Sequence, residues 1–149
     1  MKYLKYFENK ENELYTNKNV NIGDVYDESD IYIYCQKLHK NKEDFWGEEN
    51  DGGDLGERIE EFTKYEVAEI SIDKIETDEY NLDDDIVEEY MDKYKEIKTY
   101  PPVVLGYYDY GKYNIIDGNH RSNALKELGF KSILCFVGLN NNQKKVPKI

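Results

Sequence analysis

Apolar residues recur at helical spacing in three stretches of the chain and at strand spacing in several shorter ones. Ile86, Val87, Tyr90, Met91, Tyr94 and Ile97 share one helical face, which predicts an amphipathic helix over 83–98. Asp83, Asp84 and Asp85 fill its first turn, and Lys93, Lys95 and Lys98 lie toward its end, both favourable to the helix dipole. Pro101 and Pro102 stop it. Leu55, Ile59 and Phe62 predict a second helix from an Asp54 cap to about Lys64. Ala124, Leu125 and Leu128 predict a third, opening near Asn119 and ended by Gly129. Strands are predicted at 66–72 (EVAEISI), Val103 to Tyr108, Tyr113 to Ile116 and Ser132 to Val137. The last is nearly all apolar, as expected of a strand covered on both faces. Asp109-Tyr110-Gly111 joins two of them into a hairpin. Near the N-terminus, Lys2 to Phe7 and Asp30 to Cys35 (DIYIYC) also read as strands.

The chain has 149 residues, 39% of them hydrophobic, so any core is thin and the 15 tyrosines must supply much of it. Cys35 and Cys135 lack CxxC spacing and read as two packed, reduced thiols. No run of about 18 apolar residues and no leader-like segment is present, which predicts a cytoplasmic protein away from membranes.

Charge divides the chain unevenly. Residues 43–92 hold 21 acids against three bases, whereas 93–149 hold ten bases against four acids. So acidic a chain is a poor direct binder of DNA, because neutralising phosphates needs a basic face. It can instead offer a basic partner a surface like a nucleic-acid backbone. Phe45 and Trp46 lie inside the acidic loop 43–54 with Glu48, Glu49, Asp51 and Asp54, and these six are candidate partner-binding residues.

The stretch YNIIDGNHRSNALKELGF (113–130) concentrates the chemistry. A strand, a glycine turn and a helix N-terminus gather an anion through backbone N–H groups and the dipole. Gly118 permits a sharp turn or close approach, and Asn119 can cap the helix. His120 can carry a proton, Arg121 offers a fork for phosphate, and Asp117 could hold a metal or orient a hydroxyl. A purely structural alternative has Asn119 capping only and Arg121 pairing with Asp83 to Asp85.

The order strand, connector, helix, "YPPVVL", hairpin, "IIDGNHRSNALKELG" and strand "SILCFV" resembles the ParB/sulfiredoxin superfamily, often labelled ParB-like nuclease. The resemblance covers about half the chain and implies an α+β fold, a small mixed β-sheet with flanking helices. It implies a domain at 66–138, an N-terminal extension at 1–65 packing on it, and a polar tail at 139–149. Sulfiredoxins read Gly-Cys-His-Arg and attack through that cysteine. Here the position is Asn119, which argues against that activity. Partition ParB proteins are similar at Gly118, Arg121 and Ala124 and bind CTP phosphates there. The free-serine kinases look locally similar, and through them Asp117 and His120 become catalytic candidates with an acid from Glu76 or Asp78. Of these two, Glu76 is taken as the catalytic candidate. The implied phosphate-binding set is Gly118, Asn119, His120, Arg121 and Ser122.

Two functions follow. One is a domain that binds a nucleotide or phosphorylated small molecule, ATP, ADP or CTP with Mg²⁺, as a phosphotransferase or NTPase if it is an enzyme. The other is a non-catalytic acidic protein, of a phage or mobile element, that inhibits a basic nucleic-acid enzyme through 43–92. Nuclease activity follows from the family label alone, since no metal cluster or nucleophile spacing demands it.

Overall fold

The computed structural model describes residues 14–40, 55–107 and 111–140. Among them lie strand β1 (Val25–Asp27), helix α1 (Glu28–Lys40), a short helix α2 over 55–60, and β2 (Lys64–Ser71). A 3-10 turn (Ile72–Lys74) leads to β3 (Ile75–Glu76), and a second one (Glu79–Asn81) to α3 (Asp84–Ile97). Then follow β4 (Val103–Tyr107), β5 (Tyr113–Asp117), α4 (Asn119–Glu127) and β6 (Ser132–Leu139).

The six described strands form one mixed sheet in the order β1-β2-β6-β4-β5-β3. β6 sits inside it, antiparallel to β2 and parallel to β4, which explains its apolar run. β4 and β5 form the expected antiparallel hairpin, with a register shift between Val104 and Leu105. The fold is thus the expected mixed sheet with flanking helices. The polar tail foreseen at 139–149 lies outside the description from residue 141, and Leu139 closes β6.

Alternation along the strands sends side chains into two apolar clusters, one on each face. Ala68, Ile70, Ile133, Cys135 and Val137 meet Val87, Tyr90 and Tyr94 of α3 and Ala124 and Leu125 of α4. Tyr65, Val67, Val104, Ile116 and Phe136 face Ile31, Tyr34, Cys35 and Leu38 of α1 and Ile59 of α2. The layers are therefore helices, sheet, helices.

Residues 30–35 are helical in α1, which corrects the strand expected there. The dipeptide alternation of DIYIYC is also compatible with a 3.6-residue period. Ile31, Tyr34, Cys35 and Leu38 are buried, whereas Tyr32 and Ile33 are exposed. The start is fixed locally: the Asp30 N–H donates to Asp27 Oδ1 at 3.0 Å and the Asp27 N–H to Asp30 Oδ2 at 3.3 Å, a reciprocal cap. Helix α2 is also shorter than expected, because Lys64 already opens β2. The run Lys2 to Phe7 lies outside the described residues. α3 matches its expectation: Asp83 accepts from the Asp85 N–H at 2.9 Å, and Lys98 closes the helix at φ 53°.

The two cysteines are buried and unbridged, and burial pushes both thiols up. Two core tyrosines pack with their hydroxyls on backbone groups. Tyr65 donates to Ile59 O at 2.6 Å, and Tyr100 accepts the Leu134 N–H at 2.9 Å. Burial pushes the Tyr100 phenol up to about 12, against the opposing pull of the Leu134 bond.

Gly106 and Gly138 are partners across β4 and β6, and both lie under the Phe62 ring. A Cβ at Gly138 would meet Phe62 Cδ2 at 2.6 Å and Cβ at 2.9 Å. Gly138→Ala is therefore expected to destabilise the fold by roughly 1–3 kcal/mol through overpacking. Urea unfolding of Gly138→Ala, Phe62→Leu and the double variant checks this. The double variant should recover part of the loss, and strict additivity would show that the Phe62 ring is not the obstacle.

Candidate functional site

β5 carries Asp117 to its C-terminal end, and Gly118 (φ 113°, ψ 29°) turns the chain into α4. Gly118 is itself the N-cap, its carbonyl accepting the Ser122 N–H at 2.8 Å. An L side chain is excluded there twice: by the positive φ, and because its Cβ would lie 2.9 Å from Arg121 Nη2.

Arg121 is 3% exposed, and its guanidinium lies beneath the turn. Nε donates to Pro101 O at 3.3 Å and Nη2 to Pro102 O at 3.0 Å. Tyr34 of α1 donates to the same Pro102 oxygen at 2.5 Å. Both acceptors are backbone carbonyls at the entrance to β4. The buried charge also opposes the upward push on the Tyr34 phenol and on both cysteine thiols.

Asp117 points toward α1. Its Oδ1 lies 3.2 Å from His39 Nε2, and the Cys35 thiol donates to the carboxylate. Burial raises the Asp117 pKa, but the His39 bond, the Arg121 charge and the Cys35 thiol together outweigh it and hold the group below the usual carboxylate range. His39 and Cys35 were missed in the sequence. The available signal was their i, i+4 spacing, one turn apart on the buried face of a helix, which the strand reading of 30–35 concealed.

Asn119 does not cap its helix, which corrects the expectation. Its amide pairs with the backbone of Asp78, accepting the Asp78 N–H at 3.0 Å and donating to Asp78 O at 2.8 Å. His120 is 1% exposed, and its Nε2 accepts the Asp83 N–H at 2.8 Å. Burial lowers its pKa, with the Asp83 carboxylate opposing, so the imidazole is neutral and that nitrogen is engaged. Ser122 bonds back to Asn119 O at 3.0 Å. Side chains 119 and 120 thus hook the two ends of the connector 78–83 onto the first turn of α4.

Glu76 is exposed in β3 and pairs with Asn114, three residues before Asp117 along β5. The structure brings Asp78, not Glu76, to the turn. Its carboxylate accepts from Asn81 Nδ2 at 2.5 Å. Phe45, Trp46, Glu48, Glu49, Asp51 and Asp54 lie outside the described residues. Among the described residues no three His, Cys, Asp or Glu groups gather as a metal site, and Asp117 faces His39. A metal ion held by three or more such protein groups therefore has no ready site among the described residues.

The family model of the ParB N-terminal domain matches residues 56–147, more than half of the chain. The chain belongs to the ParB N-terminal domain family. Strand, turn and helix at 113–127 all fall within that match, whereas His39 and Cys35 precede it. Among solved structures, sulfiredoxin from Arabidopsis thaliana is 28% identical over 48% of this chain and 82% of its own, with a TM-score of 0.42. The C-terminally truncated chromosome-partitioning protein ParB from Caulobacter crescentus, complexed with CTP-gamma-S, is 18% identical over 50% and 46%, with a TM-score of 0.43. C-terminally truncated SbnI from Staphylococcus aureus is 25% identical over 51% and 31%, with a TM-score of 0.44. The match thus spans less than half of the last two chains. None of the curated proteins matches this chain. Among the described residues of this ParB-family domain, no helix is long and apolar enough to cross a membrane.

The His120 geometry sets a pH dependence. Its folded-state pKa is lowered, so the unfolded chain binds more protons as the pH falls through the unfolded value of about 6.5. That contribution to stability is full above this pH and is lost below it. Urea midpoints of wild type and His120→Gln at pH 7.5 and 5.5 test the link. Gln can accept the Asp83 N–H without titrating, so the acid-side loss should be smaller in the variant. An equal loss in both would detach it from His120.

Proposed function

We propose that this ParB-family domain binds a nucleotide or another phosphate-bearing ligand at the turn 117–121. The observation that carries the reading is the buried Arg121 guanidinium directly beneath Gly118 and the N-terminus of α4. A fixed positive charge then reinforces a helix end that already favours anions. Arg121 acts by position and charge rather than as an open fork, because its Nε and Nη2 donate to proline carbonyls. Gly118, Asn119 and Ser122 shape the turn. Family membership supports the reading, since the turn lies within the matched segment.

The geometry favours binding over acid–base chemistry by His120, whose Nε2 is engaged and whose imidazole is neutral. If the domain is a phosphotransferase or NTPase, Asp78 is better placed than Glu76 to act as the acid, with Asp117 orienting the turn. Phosphoryl transfer asks mainly for positioning and charge stabilisation. Any Mg²⁺ would arrive on the phosphates of the nucleotide.

Calorimetric titration of the full chain with ATP, ADP and CTP, with and without Mg²⁺, tests the reading. Wild type should bind at least one of them. Arg121→Lys keeps the charge but loses the paired carbonyl bonds, and should bind about tenfold more weakly. No binding by folded wild type to any nucleotide sinks the proposal.

A second reading rests on α3, where Asp84, Asp85, Glu88, Glu89, Asp92 and Glu96 are all exposed. Such a face suits a basic partner, including a nucleic-acid enzyme that the protein would inhibit. Pull-downs at low and high salt, with charge reversal at 84, 88 and 92 or at 48, 49, 51 and 54, should lose such a partner while Arg121→Lys keeps it. A partner retained in high salt by every variant contradicts this reading.

A further inference from the structure

The chain has only two histidines, and the fold sets one on each side of the turn 117–121. His120 works at the front. Its Nε2 accepts the Asp83 N–H at 2.8 Å and holds one end of the arc 78–83, whose other end hangs on the Asn119 amide. His39 works from behind. It lies in the last turn of α1 (Glu28–Lys40), with Nε2 3.2 Å from Asp117 Oδ1. Both side chains of that pair are largely removed from water, at 19% and 11% exposure.

The two contacts ask for opposite proton states. An Nε2 that accepts an N–H has committed its lone pair, so a proton on it breaks the hook to Asp83. Toward a carboxylate the same atom must donate, and the contact strengthens when the imidazole is charged. The interaction with Asp117 is mutual: His39 helps to keep the carboxylate ionised, and the ionised carboxylate favours the imidazolium equally. The dipole of α1 adds to this, because its C-terminal turn favours a cation.

The surrounding groups leave the titration to the histidines. Near His39 lie Tyr34 and Cys35 of its own helix, both pushed up by burial and so uncharged. Asp117 comes from β5, and the Arg121 charge of α4 acts on the same carboxylate. Arg58 of α2 is bonded to the Ile115 carbonyl on that strand. Near His120, the Asp83 carboxylate opposes the effect of burial, and Asp84 and Asp85 beside it are exposed. Asp78 accepts from Asn81, and Arg121 is turned to the prolines.

We propose that the two histidines are opposed, proton-controlled ties on one turn, so that acidification passes the hold from the arc in front to helix α1 behind. A fall in pH releases the Asp83 end of the arc and tightens α1 on Asp117. A rise does the reverse. The His39 contribution to stability is full below the unfolded value of about 6.5 and is lost as the pH rises through the folded value. The His120 contribution has the opposite sign. The rear tie precedes the segment matched by the family, and the switch stands whether or not the turn binds phosphate.

NMR titration of the imidazole C–H signals between pH 5 and 8 tests this on full-length wild type, His39→Gln and His120→Gln. Each variant leaves one histidine, which assigns the signals. His39 should titrate above the free value of about 6.5 and His120 below it. Amide exchange, corrected for its intrinsic pH dependence, reads the switch itself. From pH 7.5 to 5.5 the Asp83 amide should lose about tenfold in protection while the last-turn amides of α1 gain. His39→Gln should abolish the α1 gain and keep the Asp83 loss, and His120→Gln should do the converse. A His39 signal at or below the free value overturns the proposal, and so does an α1 gain that survives in His39→Gln. If a variant does not fold, wild type alone decides: two midpoints on the same side of the free value, or parallel exchange changes in both segments, overturn it.

Discussion

A guanidinium removed from water must find acceptors, and in this domain the acceptors are the carbonyls of two consecutive prolines. Arg121 reaches from the first turn of α4 to Pro101 and Pro102, at the entrance to β4. That contact fixes the helix against the strand beside its own and fills the space under Gly118. It explains why the turn admits only glycine, and it places a positive charge among Asp117, Tyr34, Cys35 and Cys135. The other arginine behaves alike: Arg58 of α2 donates to the Ile115 carbonyl on β5. Both arginines thus hold backbone.

Asp117 joins two layers of the fold. It belongs to the strand–turn–helix unit inside the family match, yet its carboxylate is oriented by His39 and Cys35 from a helix that precedes the match. Desolvation alone would favour the neutral acid. The neighbouring donors and the guanidinium reverse that preference, so the ionised form holds α1 to the turn. The rear of the turn is therefore built partly by the upstream helix.

The front of the site is built by the connector. Asn119 and His120, polar residues in a motif that suggests direct ligand contact, are engaged in gripping Asp78 and Asp83. This changes the chemistry the motif can offer. A neutral imidazole with an engaged Nε2 is a poor proton shuttle, and the Asn119 amide has its oxygen and one of its two N–H groups committed to a backbone peptide. What the first turn presents instead is its dipole, the buried charge below it and the arc it holds in place.

The amphipathic period of α3, the glycine turn, the hairpin and the apolar run of β6 were all legible in the sequence, because each is dictated by residues within one or two turns of one another. So was the family, whose order of elements is local information strung together. The helical state of 30–35 was not, since an alternating apolar run suits both periods until a core chooses which residues to bury. The partners of Arg121 lie 19 and 20 residues away along the chain, and those of Asn119, His120 and Asp117 lie 41, 37 and 78 away. Residue type at 117–121 determined that a charged, polar turn would open a helix. Only tertiary packing decided whether those groups would face a ligand or hold the backbone around it, because burial forces each polar atom to take whichever partner the fold brings within reach.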